Sequence, residues 1–160
     1  MVVDATGDVG GDGAGAPPSL GGARRVRVRR GADTADTVDG NLASHGTPMR
    51  RLIESGAIPG KNFIQIGLRS YWPPENVWDW MAEQGMRSYE MTEIVQRGLD
   101  SCLTEAFAIA LDDCDGVFLS VDIDVCDPGH APGTGTPEPG GLSARQLLDA
   151  VRRICYDLPV

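Results

Sequence analysis

The stretch Gly116–Ile123 (GVFLSVDI) is almost continuously apolar, as expected of a strand in a parallel sheet covered on both faces. It ends in Asp122 and Asp124, and a Gly/Pro-rich loop through Pro128, Pro132, Gly133 and Pro137 follows at once. Residues i and i+2 of a strand project to one face, so the sequence predicts two carboxylates side by side at the strand's C-terminal end. Adjacent anions in a half-buried place repel unless a positive group sits between them or one of them holds a proton. A divalent metal is the simplest partner; a helix N-terminus or an arginine is the alternative.

The rest of the chain alternates between the two periods. Asn62–Leu68 reads as a short buried strand and Ser88–Met91 as a second. Pro74–Gly85 reads as a helix with Val77, Trp78 and Met81 inward. Thr47-Pro48 predicts a helix start and Gly56 its stop. From Thr92, apolar residues at helical spacing run from Ile94 to Leu111 and predict one long helix. Ser143 with Gln146 forms a capping box ahead of Leu147, Val151 and Ile154. Alternation of this kind means an α/β fold with a mostly parallel sheet, in which sites form beyond the C-terminal ends of strands.

Composition narrows the function. A length of 160 residues suits one domain. The net charge of −9 argues against nucleic acid and against an anionic membrane surface as partners. The absence of a membrane-length apolar run or a secretory leader gives a cytoplasmic expectation. The four cysteines show no C-x-x-C pair and read as reduced thiols.

Residues 1–31 stand apart: eight glycines, Pro17-Pro18, and a block from Arg24 to Arg30 with five arginines. Large side chains are nearly absent, so disorder or a segment unrelated to the rest is the expectation here, with the globular part over 32–160. Arg/Gly/Ala/Pro-rich text of this sort is also what GC-rich DNA gives out of frame.

Ser120–Gly141, with its D-x-D pair, Pro128, Pro132-Gly133 and Gly140-Gly141, resembles the C-terminal metal-binding signature of the ureohydrolases, the family of arginase, agmatinase and guanidinobutyrase. Gly40–Met49 (GNLASHGTPM) is similar to the histidine-bearing loop of its agmatinase-like members. The resemblance implies a three-layer α/β/α sandwich, here incomplete, and two Mn²⁺ ions bridged by hydroxide. A guanidinium carbon is a poor electrophile, and metal-bound water supplies the strong nucleophile that its hydrolysis to urea and an amine requires. Carboxylate ligands suit Mn²⁺. By resemblance, Asp33, Asp122 and Asp124 hold metal, His45 shuttles the proton, and Thr136 lies in the turn lining the pocket. The partner is a small guanidino substrate, agmatine above all, and the resemblance implies a homo-oligomer.

The match departs at the early H-x-D-x-H-x-D motif, whose last aspartate is Asp33. Gly31, Arg29 and Arg27 stand where the family has histidine, aspartate and histidine. The family also continues beyond the position of Val160 into a strand whose glutamate contacts the guanidinium. The alternative expectation is therefore a catalytically inactive ureohydrolase fragment, or a non-catalytic oligomer partner. His130 reads as a solvent-exposed bystander, Asp127 as a brace of the turn, and the tryptophans as packing groups.

Overall fold

A computed structural model describes residues 23–28, 31–70, 73–112 and 116–160. In chain order the elements are β1 (Ala23–Val28), α1 (Pro48–Glu54), β2 (Phe63–Leu68), α2 (Glu75–Glu83), β3 (Arg87–Glu90), α3 (Met91–Arg97), α4 (Leu99–Leu111), β4 (Gly116–Val121) and α5 (Ala144–Asp157). Among the described residues the strands form one parallel sheet in the order β3-β2-β1-β4. Helices flank it, as the apolar character of β2 and β4 predicted.

All six residues of β2 are buried. Since Ile64 and Ile66 alternate with Phe63 and Gln65 across the pleat, both faces of this strand are covered. Ile64 and Ile66 join Val117 and Leu119 of β4 in the main core. There they pack with Ile94, Leu103 and Phe107 of α3 and α4 and with Ile154 of α5. A second cluster brings Leu68 and Ala32 against Val77 and Met81 of α2, with Trp78 and Trp80 packed on it.

Within residues 1–31, where disorder or an unrelated segment is expected, the structure describes one strand, β1. Ala23–Val28 lies inside the sheet, paired with β2 on one side and β4 on the other. Its arginine-rich composition hides this, because what holds it is the backbone: β2 and β4 each present a row of N–H and C=O groups that need a partner between them. The remaining residues of that segment, apart from Gly31, lie outside the described residues.

The long helix predicted from Thr92 is two helices. Gly98 takes φ +85° and closes α3, accepting no side chain there without strain, and α4 starts at the next residue. The N-cap of α3 is Glu90, two residues before the predicted start at Thr92. Pro48 opens α1 as predicted, but the Thr47 hydroxyl serves the preceding loop instead of capping. The α5 capping box is present in both halves, Ser143 Oγ accepting the Gln146 N–H and Gln146 Oε1 accepting the Ser143 N–H.

Candidate functional site

The C-terminal ends of β1 and β4 lie side by side, Val28 in register with Val121. β4 ends there, and Asp122 begins a short 3-10 turn, Ile123–Val125, by accepting the Asp124 N–H on its carboxylate at 3.2 Å. Asp122 and Asp124 are thus not an i, i+2 pair on one strand. The carboxylate at 122 satisfies an N–H that the turn would otherwise leave open. Asp124 is buried on the turn, and its Oδ2 accepts the Thr136 hydroxyl at 3.1 Å. The two carboxylates and Thr136 are therefore brought together.

Arg69, immediately after β2, holds this turn from across the sheet's end. Its guanidinium donates to the carbonyls of Asp124 (2.9 Å), Val125 (3.0 Å) and Cys126 (3.0 Å). It also donates to the carbonyls of Glu138 (2.7 Å) and Pro139 (3.3 Å) in the following loop. The loop closes on itself through Asp127, whose carboxylate accepts the N–H groups of Gly129 (2.9 Å) and Gly140 (2.8 Å). Those donors hold the Asp127 carboxyl below the usual carboxylate range. Asp127 braces the turn, as its place in the sequence suggested. His130 is exposed.

Asp33 is buried with φ +51°, a left-handed conformation that Asp tolerates better than most residues. Its carbonyl accepts the Met49 N–H at 3.0 Å, which ties it to the start of α1. Gln65 of β2, fully buried, donates to the Ala32 carbonyl at 2.7 Å and accepts from Ser88 at 3.3 Å. Asp36, a little further on, meets Arg51 of α1 at 2.8 Å, and Arg51 together with Arg50 holds its carboxyl below the ordinary value.

His45 lies in the loop before α1, exposed, with its Nδ1 3.3 Å from the Ser44 hydroxyl. That loop is organised by the buried Thr47, whose hydroxyl donates to the Leu42 carbonyl at 2.8 Å and accepts the Ser44 N–H at 2.9 Å. Trp80 lies under the Arg50 guanidinium, 4.5 Å from it to the ring centroid, and with Trp78 it packs on the second cluster. Both are packing residues in this structure; Trp72 lies outside the described residues.

A family model described as "Arginase family" matches residues 31–160. The chain belongs to the arginase family. Its curated arginase-family relatives include guanidinopropionase of Pseudomonas aeruginosa, 40% identical over 76% of this chain and 38% of the relative. Formimidoylglutamase of Bacillus subtilis is 35% identical over 76% of this chain and 38% of that protein. Its solved structure superposes with a TM-score of 0.79 at 32% identity, covering 84% of this chain and 42% of that one. Proclavaminate amidinohydrolase of Streptomyces clavuligerus superposes with a TM-score of 0.74 at 34% identity, covering 86% of this chain and 43% of that one. The chain thus spans roughly two fifths of the length of these relatives.

Arginase-family metal chemistry tests the donor set directly. A guanidinium offers no acceptor to a cation and glycine offers no side chain, so neither Arg27 nor Gly31 can ligate a metal. Arg27 stands within β1, in register with Ser120 of β4, the strand that leads into Asp122. Among the described residues, no group of three or more His, Cys, Asp or Glu could hold a metal ion. The described residues by themselves do not make up a donor set for a pair of divalent ions.

Sequence reasoning missed Arg69 and Gln65. Gln65 carried a signal, since a lone amide in the apolar run Phe63–Leu68 must find a buried partner. Arg69 carried none, because its acceptors are backbone carbonyls distant in the chain.

Proposed function

We propose that this chain is a non-catalytic member of the arginase family, which keeps the family's aspartate turn without a complete metal centre. The observation that carries this reading is the donor set: arginine and glycine occupy the early ligand positions, and no third His, Cys, Asp or Glu converges on Asp122 and Asp124 among the described residues. The role left to such a chain is association, as an oligomer partner of other family members.

A second reading is favoured by the relatives themselves. Guanidinopropionase and guanidinobutyrase of Pseudomonas aeruginosa are 40% and 36% identical to this chain, and the mitochondrial agmatinase of Gallus gallus is 36% identical. On that reading the chain hydrolyses a small guanidino compound to urea and an amine, agmatine being the first to try. Mn²⁺ would supply the activated water, Asp33, Asp122 and Asp124 its ligands, and His45 the proton to the leaving amine.

The test takes the purified full chain with added Mn²⁺ and measures urea release from agmatine, 3-guanidinopropionate and 4-guanidinobutyrate. Binding of Mn²⁺ is followed in parallel by EPR. No urea and no tightly bound spin-coupled Mn²⁺ pair is the expected outcome. Metal-dependent turnover that Asp124→Asn abolishes would replace the first reading with the second.

A further inference from the structure

We propose that Arg69 is the positioning residue of this end of the sheet: its guanidinium, and not a bound cation, holds the Asp122–Val125 turn against the Glu138–Gly141 loop. The assignment is independent of whether any turnover survives in the chain. It starts from an accounting of carbonyls. The 3-10 turn ends without continuing into a helix, so its last C=O groups find their partners outside the turn. The oxygens of Asp124, Val125 and Cys126 accept instead from Arg69, at 2.9, 3.0 and 3.0 Å. Those of Glu138 and Pro139 accept from the same side chain at 2.7 and 3.3 Å.

Five carbonyls from two segments thus converge on one side chain, beside a turn that already carries two carboxylates. Carbonyl oxygens facing a common point make a strongly negative place, and a cation is what that place requires. Guanidinium meets it with five N–H donors in a rigid planar fork and a charge that persists at every accessible pH. A lysine ammonium, a point charge with three donors, cannot span both segments from the same backbone position. Other ties between the segments include the paired bonds of the Cys126–Leu142 bridge, Asp127 N–H to the Leu142 carbonyl at 2.9 Å and Leu142 N–H to the Val125 carbonyl at 3.0 Å. Asp127 adds its bond to Gly140. These fix the ends of the loop, and Arg69 fills the space between them.

The consequence is a turn preformed without metal. Amide exchange by NMR on the full chain tests it at Val125, Cys126, Asp127 and Leu142, with Ile64 and Ile66 of β2 as internal references. In the unsubstituted protein, adding EDTA or Mn²⁺ should change none of the four by more than about twofold. Arg69→Ala should speed them by about tenfold or more while the β2 amides hold. Millimolar ethylguanidinium, which restores the fork without the tether, should slow them again, and Arg69→Lys should not. Should Arg69→Ala loosen the whole sheet, the lysine variant decides: exchange as slow as in the original chain overturns the proposal, and faster exchange at the four amides supports it. Protection that is lost on EDTA or gained on Mn²⁺, an alanine variant with all four amides still protected, or no response to ethylguanidinium each overturns it as well.

Discussion

Replacing Gly141 by alanine places a methyl group where three backbone atoms already stand. Its Cβ would lie 2.5 Å from the Val125 carbonyl oxygen, 2.6 Å from the Asp127 nitrogen and 2.6 Å from the Cys126 carbonyl carbon. None of these is the end of a flexible side chain, so the two segments must separate by about 1 Å to reach ordinary contact. That opens the Asp127–Leu142 and Leu142–Val125 bonds, now 2.9 and 3.0 Å, beyond hydrogen-bond range. At about 1 kcal/mol each, the loss is about 2 kcal/mol. Against a domain stability of about 5–15 kcal/mol this is substantial, and it corresponds to a Tm lower by about 4–8 °C. Urea denaturation followed by circular dichroism measures it. Gly133→Ala is the control, since nothing lies within 4 Å of a Cβ there, and it should shift stability by less than about 0.5 kcal/mol. An alanine at 141 as stable as glycine, or a control equally damaged, would refute the reasoning.

Asp127→Asn should cost stability near neutral pH and little in acid. The native carboxyl titrates below the ordinary aspartate range because the backbone N–H groups of Gly129 and Gly140 favour the anion. Its contribution is therefore present above about pH 4 and is lost as pH falls through the depressed native value. Urea midpoints of the two proteins measured from pH 7 down to pH 3 should converge; a constant gap would remove titration as the cause. Ser143→Ala breaks one half of the α5 capping box and should cost about 1 kcal/mol by urea titration, whereas Ser143→Asp should cost much less.

Much of this fold can be read in the chain because its elements declare themselves locally. The apolar run of β2, the apolar face of α2 and the Ser143/Gln146 box of α5 each lie within one short window. β1 is illegible for the opposite reason: its stability resides in ladders to Phe63–Ile66 and Gly116–Val121, and nothing within Ala23–Val28 announces them. The split between α3 and α4 was hidden because a glycine inside a helical pattern costs only about 1 kcal/mol, so periodicity ran on across Gly98. At the site, the sequence located the aspartates at a strand's C-terminal end but misjudged their geometry, since the i, i+2 rule fails once the strand stops at Val121. Arg69 is a tertiary feature throughout, its acceptors lying 55 to 70 residues along the chain.

The placement of β1 also sets an order of assembly. Its ladder to β4 joins Ala23 to Gly116, so one of the sheet's interior strands is synthesised well before one of its two neighbours. Pairings so distant in sequence close slowly, because the entropy of the intervening chain is lost before the contacts form. Until Gly116–Val121 emerges, β1 has one ladder and a bare flank. Until Leu147 and Ile154 follow, the core face of β4 lacks the helix that buries it. A ribosome that stalled before Gly116 would thus hold a half-bonded strand rather than a smaller version of the fold, and the aspartate turn would have no β4 to carry it.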